Sequence, residues 1–299
     1  MPKQNPFSLY DFLGYLIPGY ASLLLCQLCL SIFLPVDQIP TLSIKNANAT
    51  ELANIAIISY VAGHLFNYIS SITVEHYSTR TIGYPTRYLL GDGVFKSYLD
   101  TKDEELETQR RILRLLISLS ILPICIADFL LDKTLSIRSL YAKKLDAFLI
   151  TTIKTKINEM LKLEGVRNYN PTKNNDIHRL IYHYITEHST NHFGKTQNYV
   201  AIYGLLRSFS LLASLLTLVL IAKNIEALLI YDIEKLHFSM INLICISSSF
   251  MASYLFYLAF VKFYRRFTLE SLMALTAIIS TKSRSETTNP PSQKGPLKK

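Results

Sequence analysis

The sequence predicts an all-α integral membrane protein in which four transmembrane helices, two N-terminal and two C-terminal, flank a cytoplasmic α-helical domain. Three observations predict it. Apolar residues make up 49% of the 299, only the upper edge of ordinary globular usage. They gather, however, in separated blocks of roughly 20, the length that crosses a hydrocarbon core about 30 Å thick. The net charge is +9, from 31 Lys+Arg against 22 Asp+Glu, and nearly all the cations fall outside those blocks. Three of the four blocks also carry small polar residues at helical spacing.

The N-terminal hairpin covers residues 1–74, with spans at about 12–34 and 52–74. Ser8 and Asp11 are available to cap the first span, Pro18-Gly19 favours a kink, and Pro35 and Asp37 close it. No small-residue cleavage site follows, so the run reads as a retained helix rather than a leader. A polar loop over 36–51 holds one cation, Lys45.

Residues 75–200 form the basic helical domain. Gly83-Tyr84-Pro85 and Leu90-Gly91-Asp92-Gly93 mark turns. Asp103, Glu104, Glu105 and Glu107 precede Arg110, Arg111 and Arg114, a charge order that favours a helix. The run 112–131 is apolar but contains Pro123 and Asp128, and is expected to be a buried or membrane-lying helix of this domain, with a fifth crossing or a re-entrant hairpin as the alternatives. A helix over 137–163, a polar loop over 165–176 and a helix from Ile177 complete the domain. The C-terminal hairpin covers 201–264, with spans at about 201–222 and 238–261 joined by a loop over 223–237. Lys262, Arg265 and Arg266 end the last span. Residues 265–299 are expected to hold a juxtamembrane helix over 268–279 and a disordered basic tail from Ser280.

Positive charge orients the chain. With four crossings and both termini inside, every cation-rich segment faces the cytoplasm. A fifth crossing by 112–131 would export the Lys262, Arg265 and Arg266 cluster. Basic charge in a membrane chain therefore needs no nucleic acid, and none is expected as a direct partner.

The polar faces are Ser59, Gly63, Asn67 and Ser70 on the second span; Ser210, Ser214 and Thr217 on the third; and Asn242, Cys245, Ser249 and Ser253 on the fourth. They would either line a water-filled path or pack helix against helix through cross-seam hydrogen bonds. His64 is the one ionisable group deep in the second span. It reads as a pore or relay residue, or as a neutral hydrogen-bonded imidazole. Arg207, one turn inside the third span, is expected to snorkel outward.

Cys26 and Cys29 form a CxxC inside the first span without a partner pair, and read as small apolar packing residues. His178, His183, His188 and His192 cluster, yet Ser189 stands where a zinc-protease motif needs Glu. No metal, cofactor or catalytic residue is expected. Lys143, Lys144, Lys154, Lys156 and Lys162 would offer a basic surface to a cytosolic protein or an anionic lipid.

The run Tyr10-Asp11-Phe12-Leu13-Gly14-Tyr15-Leu16-Ile17-Pro18-Gly19 resembles the opening of a loosely defined group of uncharacterised bacterial inner-membrane proteins. Gly83-Tyr84-Pro85, Tyr203-Gly204-Leu205-Leu206-Arg207 and Tyr264-Arg265-Arg266-Phe267 are similar to the same group. The resemblance implies paired spans at each end of a cytoplasmic insert, and transfers no catalytic residue. Membrane proteins of this layout resemble effectors of anti-phage defence operons that act when a cytosolic partner signals.

The functional expectation is therefore a non-enzymatic, homo-oligomeric inner-membrane effector or channel-like subunit, controlled through its cytoplasmic domain by a partner from the same operon. Its rivals are a membrane anchor that recruits a cytosolic partner, and a membrane enzyme or transporter using the His178–His192 segment.

Overall fold

The computed structural model describes residues 11–33, 48–93, 95, 98, 108–166, 177–230 and 240–288. Among them the chain is helical and contains no strand. The helices are α1 (Ile17–Phe33), α2 (Ala49–Ser70), α3 (His76–Thr81), α4 (Pro85–Leu89), α5 (Thr108–Ser120), α6 (Leu122–Leu135), α7 (Ile137–Tyr141), α8 (Ala147–Leu163), α9 (Ile177–His188), α10 (Thr190–Ile230) and α11 (Met240–Thr288). Four stretches are long and apolar enough to cross a bilayer: Phe12–Ser31, Ala49–Leu89, Gly194–Ile225 and Met240–Thr281. The loops expected around Lys45, the acidic run Asp103 to Glu107 and the 167–176 segment lie outside the described residues.

Two of the spans contain a π-helical turn. Phe12–Leu16 leads into α1, and Ser71–Glu75 continues α2 into α3. The first has a local cause: Pro18 has no N–H to return to Gly14, and the wider turn accommodates the missing bond. The start of α2 is fixed by a capping box. Asn48 Oδ1 accepts the Glu51 N–H and Glu51 Oε2 accepts the Asn48 N–H, both at 2.9 Å. The helix therefore begins three residues before the expected apolar block. Gly83, at φ 88°, ends α3. Tyr84 is extended ahead of Pro85, which opens α4 in the position where its lost donor costs nothing.

Between residues 108 and 163 the expected helices are subdivided. The run 112–131 is not one helix: α5 and α6 meet at a 90° bend. Pro123 sits in the first turn of α6, and its ring would clash with the Leu119 carbonyl if the helix ran on. Ser136, left-handed at φ 48°, then turns the chain into α7. The expected helix 137–163 is likewise split: residues 142–146 are non-helical and are held by neighbours. Leu145 N–H donates to the Leu89 carbonyl at 3.1 Å, and Arg265 donates to the Lys143 carbonyl at 3.3 Å.

The two C-terminal helices run further than their apolar blocks. Helix α10 has 41 residues and α11 has 49, giving lengths of roughly 60 and 75 Å at 1.5 Å per residue. The helix expected over 268–279 is the direct continuation of α11, which runs on through Ser280 to Thr288, into the stretch expected to be disordered. Residues 289–299 lie outside the described region.

Helix α10 is the centre of the bundle and touches α1, α2, α11 and the α5–α6 pair. At the α1–α2 crossing the backbones meet directly. A Cβ built on Gly19 would lie 1.8 Å from the Ser59 carbonyl oxygen, and one on Gly63 would lie 1.9 Å from the Tyr15 carbonyl oxygen. Such close approach is how small residues associate helices where water exclusion gives no drive. Helices α8 and α9 bury Ile153, Ile157, Met160, Ile181 and Ile185 in one core with Leu272, Leu275 and Ile279 of α11.

The crossing yields a test. Gly63→Val should destabilise the protein by about 1–3 kcal/mol through forced separation of α1 and α2. Gly194→Ala, whose Cβ meets nothing within 4 Å, should instead stabilise α10 by about 0.4–1 kcal/mol, since a helical glycine is replaced by a better helix former. Unfolding in detergent, followed by circular dichroism, reads both.

Candidate functional site: two buried polar clusters

The first cluster joins α2 to α10. The Arg207 guanidinium turns into the bundle rather than snorkelling outward, and only 8% of its side chain is exposed. Its Nε donates to Ser70 Oγ at 3.1 Å, one Nη donates to the Asn67 carbonyl at 3.2 Å and to Asn67 Oδ1, and the other pairs with Glu75. Ser70 and Ser208 hydroxyls meet at 3.3 Å, and Ser71 Oγ donates to Glu75 at 3.4 Å. The π turn Ser71–Glu75 brings this carboxylate to the guanidinium. A buried Arg in an apolar bundle requires such a set of acceptors, because an uncompensated charge is costly there.

The second cluster joins the broken pair to the rest. Asp128 is fully buried and pairs with Arg138, whose Nη2 lies 2.6 Å from Oδ2. Tyr77 donates to the same oxygen at 2.8 Å, and Tyr141 donates to Oδ1 at 3.3 Å. Burial works against the Arg138 charge, but the hydrogen bonds and charge of Asp128 outweigh it and hold the guanidinium pKa above its ordinary value. One carboxylate thus ties α6, α7 and α3 together. Tyr254 and Tyr257 of α11 are buried beside it.

Several of the remaining polar residues of the spans are used across helix seams. Ser210 Oγ donates to the Ser253 carbonyl at 2.9 Å, and the Thr217 and Ser249 hydroxyls meet at 2.9 Å. Ser214 Oγ donates at 3.1 Å to the Ser120 carbonyl, which the α5–α6 break deprives of its next-turn helical donor. Gly63 and Ser59 form the α1–α2 crossing, and Ser59 Oγ has no hydrogen-bond partner among the described residues. His64 is exposed on α2, stacked on Tyr15 at 3.8 Å and edge-on to Tyr60 at 4.7 Å. Asn242 is exposed near the start of α11, its amide 3.5 Å from Asn224 Oδ1. Between α1, α10 and α11 lies an apolar cavity of about 380 Å³, lined by Leu24, Leu28, Phe209, Leu216 and Phe256 among others.

The five lysines differ in their surroundings. Lys143, Lys144 and Lys162 are exposed, whereas Lys154 pairs with Asp92 at 3.4 Å and Lys156 pairs with Glu159 at 2.8 Å. The histidines are dispersed as well. His188 stacks on Tyr184 at 4.2 Å, His192 lies 3.6 Å from Glu270 on α11, and His178 packs edge-on against Phe267. Among the described residues no three His, Cys, Asp or Glu side chains approach as metal ligands would. The cysteines are free thiols.

The sequence reading named Asn67, Ser70 and Arg207, but not the carboxylate that completes the cluster, Glu75. Glu75 lies 132 residues from Arg207, and the only available signal was that one acidic and one basic residue each stood about one turn from the same end of a span. Comparisons with family models, with curated proteins and with solved structures find no match for the chain.

Two outcomes test this geometry. Glu75→Ala leaves the Arg207 charge unpaired and should cost about 3–5 kcal/mol. Arg207→Met added to Glu75→Ala should recover part of that loss, and additive single and double losses in a detergent unfolding cycle would contradict the brace. Burial holds His178 down to about 4 from 6.5. The unfolded chain therefore binds the proton first, and His178 weakens the fold as pH falls from about 6.5 toward 4. His178→Phe should flatten the unfolding midpoint over that window.

Proposed function

We propose that the chain is a multi-pass protein of the bacterial inner membrane, both termini cytoplasmic, acting as a non-enzymatic effector. In this reading the extramembrane unit of α8 and α9 receives a cytosolic partner and biases the packing of the spans. The observation that carries it is continuity. Helices α10 and α11 run without a break from the spans into the core that holds α8 and α9. Each exceeds a hydrocarbon core of about 30 Å roughly two-fold, so a displacement of α8 or α9 against Leu272 or Leu275 is carried rigidly into the bundle. The likeness of its motifs to bacterial membrane proteins of similar layout supports a setting in defence, with the partner encoded nearby.

Conduction, if the effector acts that way, belongs to an assembly of several copies. Ser210, Ser214, Thr217, Ser249 and Ser253 are occupied inside one chain, and the cavity between α1, α10 and α11 is apolar. The faces left for such an assembly or for lipid include Ile57, Val61, Leu65 and Tyr68 of α2 and Ile241 and Ile244 of α11.

An anchor that recruits a cytosolic protein is the second reading. The exposure of Lys143, Lys144 and Lys162 favours it.

Purified protein in liposomes distinguishes the two. The effector reading expects ion or dye leakage above that of empty vesicles once the partner is added, with Leu272→Asp abolishing the response. Leakage equal to empty vesicles under all conditions would end the conducting form of the proposal. Loss of partner recruitment after charge reversal at Lys143, Lys144 and Lys162 would then leave the anchor.

A further inference from the structure

The bent pair α5–α6 has two possible placements: one broken crossing, or an elbow that enters and leaves on a single face. Hydrogen bonds to neighbouring spans assign a depth to each part of it. The Arg207–Glu75 pair marks a common level on α10 and α2. Ser214 stands seven residues further along α10 toward the far side, roughly 10 Å deeper. Its hydroxyl holds the Ser120 carbonyl, so the bend lies at that depth. Ile121 at the bend is fully buried, as irregular backbone at membrane depth must be.

Both limbs return from that point toward the same end. On α6, Asp128 takes the hydroxyl of Tyr77, which lies two residues past Glu75 on the way out of the bundle. On α5, which packs against the Ser71–Glu75 turn, Arg114 is buried; the Tyr98 ring in turn lies 5.1 Å from that of Tyr77. Burial pushes the Tyr98 hydroxyl up to about 12, and the guanidiniums of Arg114 and Arg80 pull against it. Arg80 also donates to the Tyr98 carbonyl at 3.2 Å. Both limbs therefore meet the same segment, residues 71–77, which lies at the Arg207–Glu75 end and not at the depth of the bend.

The outer surface of the pair is apolar. Ile112, Leu113, Leu116 and Leu119 of α5 and Ile126 and Phe129 of α6 are exposed. At its rim Lys133 stands over the Phe129 ring, 5.8 Å from the centroid, as a side chain does where an apolar stem meets a wet boundary. Arg111 at one limb and Asp132 and Lys133 at the other keep charge at the end where both limbs emerge.

We propose that α5–α6 is a re-entrant elbow, inserted into one leaflet from the face that carries Lys262, Arg265 and Arg266, with its outer surface seated among the acyl chains of that leaflet. The inference rests on the four long helices crossing a membrane. It adds a half-depth element to them, and leaves the number of crossings at four.

Single-cysteine labelling tests it. Cys26, Cys29, Cys125 and Cys245 are replaced by Ala, and one cysteine is placed in turn at Asn48, Gln109, Leu116, Lys133 or Lys262. Sealed vesicles of each orientation are then treated with a membrane-impermeant maleimide. Gln109→Cys and Lys133→Cys should label together with Lys262→Cys and from the face opposite Asn48→Cys. Leu116→Cys should react at least ten-fold more slowly until detergent is added. Labelling of Gln109→Cys and Lys133→Cys from opposite faces would make the pair a crossing and overturn the elbow. Rapid labelling of Leu116→Cys in intact vesicles would place the elbow in water and overturn it too. Asn48→Cys and Lys262→Cys labelling from one face would remove the span arrangement itself, and the elbow with it. A chain that keeps its cysteines gives an independent reading: protease sites inserted between residues 104 and 105 and between Lys143 and Lys144 should be cut from the same face. Cutting from opposite faces is the overturning result.

Discussion

A guanidinium enclosed by apolar helices must be surrounded by acceptors, and that requirement organises much of this bundle. Arg207 projects from the central helix, and every acceptor it finds belongs to one stretch of α2 and its π turn: Asn67, Ser70 and Glu75. The pairing sets the depth and rotation of α2 against α10. Once these are set, Ser70 reaches Ser208 and Tyr77 reaches Asp128. The second cluster is thus placed by the first, and the α5–α6 pair is placed by the second. Removing either charge alone leaves the other without compensation, which is why the energetic weight falls on the pair.

What the sequence disclosed and what it hid divide along physical lines. The four long apolar stretches were visible because lipid imposes a length and a composition on each segment separately. The polar faces were visible for a similar reason, since helical spacing is local. Which hydroxyl met which carbonyl was not visible. Ser214 serves the Ser120 carbonyl 94 residues away, and no periodicity encodes that pairing. Arg207 was misread because a long side chain near a helix end snorkels by default. The default fails when a carboxylate on a neighbouring helix is closer than the water. The run 112–131 was misread as one helix although Pro123 was noted, because its composition was weighed as a whole and the break is a matter of a single missing donor.

The ends of the long helices were also hidden, for a different reason. An apolar block reports composition, whereas backbone hydrogen bonding can run on past it. Helices α10 and α11 continue beyond the apolar blocks read from the sequence, and α11 there supplies Leu272, Leu275 and Ile279 to the core that holds α8 and α9. Helices α8 and α9 are accordingly packed on the extension of α11 as cladding.

The π turn at Ser71–Glu75 carries a consequence for what lengths this segment tolerates. A π turn accommodates one residue more than an α turn over the same rise. Deleting a single residue there would leave a regular α turn over the same rise, with Tyr77 and Arg80 still on the side of Asp128 and Tyr98. The same deletion within the regular turns of α2 would instead swing everything beyond by about 100°. The irregular turn works as a slack link: it takes up one residue of length while one continuous rod keeps Asn67 toward α10 and Tyr77 toward Asp128.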